Sequence, residues 1–537
     1  MPATRSTAGS SSRSSAADRR GQMNDVAANP YDAVAYPGHA FSQTHPAKLA
    51  TIAHIHGMSP APMAGMRVLE LGCGSGGNLI PMALRFPRAD FLGIDLSRSA
   101  VELARRNAGA LGLANVAFEQ RDIMDVSAAL GRFDYILVHG VYSWVPQFVR
   151  DKILAIFGEL LAPQGVAYVS YNALPGGHLR DIARDVMLFH TRDVSEPLER
   201  VRTARAALKS FAEATDPDSF YGAALRKRLQ QVDELPDAVL YHDDLNPIAR
   251  AFTVHEVVSA AAGHGLKFLA EASFPNQFGT AGGAAQQLLA QVGTEDPLAR
   301  EQSLDLLIGR SFRETLLCRT EVALRREMDA DSLSPYHLSA YVRQVEISEQ
   351  ERRPGVDRFQ FQQGVAVSID LDSCKAALRA LGRAWPASLG HGDLIARALA
   401  EIGPVADRER EAVRLSEALF AIFKAGLLDI RLEPPQVANT ISERPVASRL
   451  ARRQAESSSE VTDLLHRAVT LDSIVVRKFV CLMDGTRDAE ALLADLNLFL
   501  AEAHASGEAP PGLPKLATRD EVLMHLEDVA RLALLSG

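Results

Sequence analysis

The stretch that most constrains this chain is Val68-Leu69-Glu70-Leu71-Gly72-Cys73-Gly74-Ser75-Gly76-Gly77-Asn78. A short apolar run ends in an acid, glycines alternate, and an apolar-periodic segment follows (Leu79, Ile80, Met82, Ala83, Leu84, Phe86). That order predicts a buried strand, a tight turn and a helix, half of a nucleotide-binding unit. Gly72 and Gly74 let the backbone turn sharply against a ligand, and the helix start offers unpaired N–H groups. Gly72, Gly74 and Gly77 also satisfy the dinucleotide fingerprint, so the glycines alone do not choose the ligand. Glu70 narrows the choice. Immediately before the turn its carboxylate sits poorly beside a pyrophosphate and well beside a cationic amino group, which favours an amino-acid nucleoside.

Further landmarks follow in order. Phe91-Leu92-Gly93-Ile94 reads as a second strand ending in Asp95, whose two oxygens can accept both hydroxyls of a ribose. Asp122 follows residues 116–121 and precedes Ile123, the position expected to meet an adenine edge and face. Phe133-Asp134-Tyr135-Ile136-Leu137-Val138 reads as a fourth strand, delivering His139-Gly140-Val141-Tyr142-Ser143-Trp144 to the same rim. Residues 98–111 and 150–161 have helical period, so the strands should be parallel with right-handed crossovers. A fifth strand over 166–170 ends in Tyr171-Asn172-Ala173-Leu174-Pro175-Gly176, and ligand chemistry in such sheets belongs at carboxyl ends of strands.

This succession resembles the class I S-adenosylmethionine-dependent methyltransferases. The resemblance narrows with Thr44-His45-Pro46, His139 to Val145, Ser170 to Gly176, Tyr241-His242-Asp243-Asp244-Leu245 and Phe312-Arg313-Glu314-Thr315-Leu316-Leu317-Cys318. Together these look like the bacterial methyltransferases that carry a methyltransferase regulatory domain; those with further C-terminal modules are similar to lysine methyltransferases of outer-membrane surface proteins. The resemblance implies an α/β, Rossmann-like, seven-stranded sheet whose sixth strand lies in 266–274 and whose antiparallel seventh lies in 312–318. It implies S-adenosyl-L-methionine as cofactor, contacted by Glu70, Gly72, Gly74, Asn78, Asp95, Leu96, Asp122, Ile123 and His139. It also implies a protein substrate, in one version an outer-membrane or surface protein before export. A homodimer is a further expectation. Tyr142, Trp144 and Tyr171 are the candidate catalytic aromatics, offering apolar walls that lower a lysine pKa and stabilise a sulfonium; Tyr142 is preferred. Core packing is the alternative for Trp144 and Tyr171. Tyr36, Phe41 and His45 are candidate lid residues, unless their segment only packs on the sheet edge with an exposed histidine.

The 537 residues suggest several domains. Residues 1–22, rich in Ser, Ala and Arg, read as a disordered extension, with Met23 the expected native start. Residues 23–190 read as methyltransferase core with an N-terminal lid, 191–240 as a helical insertion, and 241–325 as completion of the core with the regulatory region. Residues 326–435 read as a winged-helix-like middle domain and 436–537 as a helical C-terminal domain. Asp plus Glu number 66 against 57 Lys plus Arg, a net charge of −9 that argues against a nucleic-acid partner. Four scattered cysteines form no metal pair and fit a reducing cytoplasm. No apolar run approaches the roughly 20 residues of a membrane span. A small-molecule methyltransferase, and a nucleic-acid-binding regulator with a degenerate enzymatic domain, are the competing readings.

Overall fold

The computed structural model describes residues 32, 34–273, 283–292, 296–362, 364–438, 440–507 and 509–536. The expectations for 1–22 and Met23, and the last residue of the 266–274 strand, lie outside them. The central sheet comprises β1 (Arg67–Leu71), β2 (Asp90–Asp95), β3 (Val116–Gln120), β4 (Phe133–Val138), β5 (Leu161–Asn172), β6 (Leu266–Glu271) and β7 (Phe312–Arg319). Their spatial order is β3-β2-β1-β4-β5-β7-β6. β1 to β5 run parallel, and β7 is antiparallel to both β5 and β6. The order reverses between β1 and β4, which opens a crevice at the carboxyl ends of those strands.

Helices cover both faces. On one side lie α1 (Pro46–Ile55), α2 (Leu79–Arg85) and α3 (Arg98–Ala110), whose Leu49, Ile52, Leu79, Met82, Val101 and Ala104 are buried in one cluster with Val68, Tyr135 and Tyr168 of the sheet. On the other lie α4 (Gln147–Leu160) and, further along the chain, a helix over Val254–Ala262, burying Ile153, Phe157 and Val257 against Leu69, Ile136 and Val169. Local chemistry sets these boundaries: Ser97 accepts from Ala100 N to start α3, and Thr253 and Glu256 form a reciprocal capping box.

Three helices, α5 (Gly176–Thr191), α6 (Pro197–Ala214) and α7 (Phe220–Glu234), form a separate cluster around Met187, Leu208 and Leu225. This helical cover therefore starts at Gly176 rather than 191, because Ala183, Val186 and Met187 of α5 bury against α6 and α7. A buried ionic network fixes β7 beside it. Arg313, fully buried, reaches Glu271 Oε2 (2.7 Å), Glu301 Oε2 (2.8 Å) and Asp305 Oδ2 (2.7 Å), while Arg310 Nε donates to Asp305 Oδ1 (2.6 Å).

Beyond the sheet, helices Asp372–Ala384, His391–Ile402 and Arg408–Lys424 pack with two three-stranded sheets. Their Leu378, Leu394 and Leu419 belong to the same buried cluster as Leu49 and Ile52 of α1. The last unit has its own core around Phe479, Leu496 and Leu526, and carries a hairpin of Glu460–Thr462 and Ala468–Thr470.

Candidate active site

The glycine loop does what its composition demands. Gly72 has φ +79°, and a Cβ there would also lie 2.4 Å from Val141 Cγ2. Gly77 is tight for another reason: a Cβ would meet the carbonyl carbon of Gly38 at 2.5 Å. The segment before α1 thus lies directly on the loop.

Glu70, 3% exposed, is the penultimate residue of β1, behind this loop. Its Oε1 accepts from Asn78 Nδ2 at 2.8 Å, whereas its Oε2 is buried with no partner. Burial pushes the carboxyl up to about 7, with the Asp95 charge adding to the shift. A buried acceptor left unpaired costs about 1–3 kcal/mol, more when charged, so a cation arriving here would relieve a strain already present. Asp95 ends β2. Its Oδ2 accepts from Gly74 N and its Oδ1 from Ser97 N, each at 2.8 Å, which fixes the carboxylate at the loop mouth with lone pairs to spare. Burial raises its pKa too. Asp122 caps a short helix through Met124 N (2.9 Å), followed by half-buried Ile123; Leu96 is 57% exposed.

At the end of β4, His139 Nδ1 lies 2.9 Å from the Tyr168 hydroxyl, and its ring centroid is 3.9 Å from that of Phe41. Burial pulls its pKa down to about 4, so the imidazole is neutral near pH 7 and too weak a base to deprotonate an ammonium. Of the lid candidates, Phe41 N donates to Asn78 Oδ1 (3.1 Å), Tyr36 lies 5.8 Å from His242, and His45 is a half-buried residue whose Nδ1 is buried, not the exposed histidine of the edge-packing alternative.

The candidate catalytic aromatics do not converge. Trp144 lines a cavity of about 520 Å³ between the helical cover and the ends of β5 and β7, and the Arg180 guanidinium sits over its ring at 5.2 Å. Tyr142 and Tyr171, by contrast, are 2% and 1% exposed, and both pack against Phe252 in the core. The Tyr171 hydroxyl is held by Thr315 Oγ1 at 2.8 Å, and burial pushes the Tyr142 hydroxyl up to about 12. The assignment of Tyr171 as a catalytic wall is corrected: period-two alternation turns it inward and its neighbour Asn172 to the cavity. Tyr142 is likewise a core residue, since its short helix at Tyr142–Trp144 directs only Trp144 to the cavity. Asn172 and Phe312, which sequence reasoning did not assign to the site, line the cavity with Lys227, Arg184 and Arg180. Their signal was present, because both lie in the motifs that narrow the resemblance. Asp244, from the Tyr241-to-Leu245 motif, accepts from Arg180 (2.9 Å) and Arg228 (2.7 Å) and so ties α5 to α7 behind this wall.

A seven-stranded sheet with an antiparallel seventh strand, a glycine turn, a buried carboxylate with one oxygen unpaired and a second acid at the next strand end together define a class I methyltransferase. Comparison with known proteins supplies the family. Residues 62–215 match a methyltransferase domain, 236–319 a predicted methyltransferase regulatory domain, and 443–531 the C-terminal winged helix domain of PKMT. PKMT2 from Rickettsia typhi superposes with a TM-score of 0.83 at 27% identity, over 94% of this chain and 100% of that one. Its complex with AdoHcy gives 0.82 at 26%. Two uncharacterized proteins of Rickettsia prowazekii are each 34% identical, over 312 and 243 residues. The matched stretch spans 56% of the first protein's length and 96% of the second's. The chain belongs to the S-adenosylmethionine-dependent methyltransferases that carry a regulatory domain and a PKMT-type winged-helix domain, and S-adenosyl-L-methionine is its cofactor. The winged-helix match falls on 443–531, within the stretch read from sequence as a helical C-terminal domain. Among the described residues no helix is long and apolar enough to cross a membrane, and no cluster of side chains could hold a metal ion.

Proposed function

We propose that this chain methylates lysine side chains of a polypeptide. The observation that carries the reading is the likeness to PKMT2, a protein-lysine methyltransferase by its name, across 94% of the chain. The cofactor supplies an electrophilic methyl group on a cationic sulfur. We assign Glu70 and Asn78 to its amino-acid end, the glycine loop to close backbone contact, Asp95 to the ribose, and Leu96, Asp122 and Ile123 to the base. The cavity beside Trp144 then receives the target side chain.

A lysine ammonium must lose its proton before it can attack. With a reference pKa near 10.4, presenting the neutral amine at pH 7 costs about 4–5 kcal/mol. The cavity suits that task, since Trp144 and Phe312 desolvate the amine and Arg180, Arg184 and Lys227 disfavour a further positive charge. The Asn172 side chain is our candidate acceptor for the amine N–H. The sequence resemblance favours an outer-membrane or surface protein as the polypeptide, met in the cytoplasm before export.

The test incubates purified protein and methyl-labelled cofactor with fractionated cell extract, and modified residues are mapped by mass spectrometry. Acid-stable label on lysine in macromolecules is the expected result. Base-labile label confined to low-mass extract would overturn the reading in favour of a small-molecule carboxyl methyltransferase.

A further inference from the structure

The residues assigned to the cofactor lie within the first 150 of the chain, yet one side chain packed against them comes from its far end. The turn of the Glu460–Thr462/Ala468–Thr470 hairpin is held by Asp463, whose Oδ1 accepts from Leu465 N (2.9 Å) and Arg467 N (2.8 Å) while its Oδ2 accepts from Arg467 Nε (2.7 Å). This turn holds His466 at φ +63°, a left-handed conformation that a non-glycine residue rarely adopts. In that conformation the imidazole is buried, 3% exposed, with Nε2 2.8 Å from Asn78 Oδ1, a contact spanning 388 positions of sequence.

The direction of the bond can be worked out. Asn78 Oδ1 also faces Phe41 N (3.1 Å) and Thr44 Oγ1 (3.1 Å). A backbone N–H can only donate, so the amide oxygen must face Phe41 and His466, and the amide NH₂ must face Glu70. His466 therefore donates from Nε2. Two N–H donors from separate parts of the chain, Phe41 N and His466 Nε2, fix the rotation of Asn78, with the single Thr44 hydroxyl proton shared between Asn78 Oδ1 and the Phe41 carbonyl, and Asn78 in turn fixes Glu70. A second contact reinforces the junction: His39 Nδ1 lies 2.5 Å from Glu460 Oε1, at the base of the same hairpin. The His45 ring, 5.0 Å from that of His466, fills the space between.

We infer that His466 is a positioning residue for cofactor binding, acting through Asn78 on Glu70, so that the C-terminal winged-helix unit completes the cofactor site of the first domain. The inference rests on the placement of the cofactor's amino-acid end at Glu70. Removing the imidazole takes away the shortest of the contacts that hold the Asn78 amide oxygen and so loosens the amide that faces Glu70, and the loss falls on cofactor affinity rather than on the methyl-transfer step.

The test uses the full-length chain. His466→Asn keeps the left-handed turn, which asparagine tolerates, and is too short to reach Asn78. Calorimetric titration with S-adenosylmethionine should show affinity weakened about tenfold, the worth of roughly one net hydrogen bond, with KM for cofactor rising in step and kcat at saturating cofactor within about twofold. In an Asn78→Ala background the same substitution should weaken binding by less than about twofold, because both act through one bond. His466→Gln, which retains an N–H donor on a longer arm, should recover affinity to within about threefold of the parent. Unchanged affinity in His466→Asn, a full further loss in the Asn78→Ala background, or a Gln variant as weak as the Asn variant would each overturn the inference. Glu70→Gln separates the two layers. If it leaves cofactor binding intact, the placement fails and takes the inference with it; if it weakens binding while His466→Asn does not, only the role of His466 falls.

Discussion

The most exacting prediction concerns Glu70. In the ligand-free protein its carboxyl titrates at about 7, chiefly because burial disfavours the charge. The cofactor's amino group needs the ionised form. Between pH 7.5 and pH 5.5 the ionised fraction should fall from about three-quarters to about 3%, so the dissociation constant should rise about 25-fold, or about 1.9 kcal/mol. His139 and His466, held at about 4 and about 3, do not titrate in that window. Calorimetry at pH 6 in two buffers of different protonation enthalpy should therefore report release of about 0.9 proton per cofactor bound. Stability moves the other way. The folded pKa lies above the unfolded value of 4.5, so the stability contributed by protonated Glu70 is fully present below about pH 4.5 and lost as pH rises through about 7. Glu70→Gln should thus flatten the pH dependence of binding, leave affinity at its weak low-pH level, and stabilise the ligand-free protein at pH 8 by up to about 3 kcal/mol. Affinity that is flat from pH 5.5 to 7.5 with no proton release, or a Gln variant that binds normally at pH 7.5, would refute the assignment.

Other perturbations test neighbouring parts. Asp95→Ala should weaken S-adenosylmethionine binding by about 2–4 kcal/mol in calorimetry, since one carboxylate serves two hydroxyls through charge-assisted bonds, with secondary structure by circular dichroism unchanged. Tyr171→Phe should keep turnover within about twofold and lower unfolding stability by about 1 kcal/mol, the loss of its bond to Thr315; a tenfold drop in turnover at saturating substrates would return Tyr171 to the reaction. Arg313→Met strands Glu271, Glu301 and Asp305 as uncompensated buried acids and should cost about 3–5 kcal/mol, seen as an earlier first thermal transition.

How much of this could be read beforehand depended on how local the determining physics is. The glycine turn and the acids at the carboxyl ends of β1 and β2 rest on neighbours within a few positions, where backbone sterics and apolar period act directly, whereas the antiparallel direction of β7 was implied only by the family resemblance. Tyr142 was misplaced because its one-turn helix at Tyr142–Trp144 is too short to show a period, and Tyr171 because β5 is buried along nearly its whole length from Val166 to Asn172. Period-two alternation then says which residues share a face, but not which face meets the cavity. The hairpin of the winged-helix unit was missed in a stretch read as helical because its strands are three residues each, too short to show any period.

His466 marks the other limit. Around it Val461, Leu464, Leu465, Ala468 and Val469 recur at the spacing of a helix, which hides the turn, and its effect on Glu70 runs through Asn78, whose expected cofactor contact gives no hint of a partner near the far end of the chain. Yet Asn78 makes no capping bond to its own helix. An asparagine at that position that forgoes the local N–H groups must have its amide engaged elsewhere, because a buried amide left unpaired costs more than the cap would return. Here the partners are Glu70 on one side and Phe41, Thr44 and His466 on the other. Domain assembly and cofactor affinity are therefore joined at a single side chain, and a change in how the C-terminal unit docks is transmitted to the carboxylate that receives the cofactor.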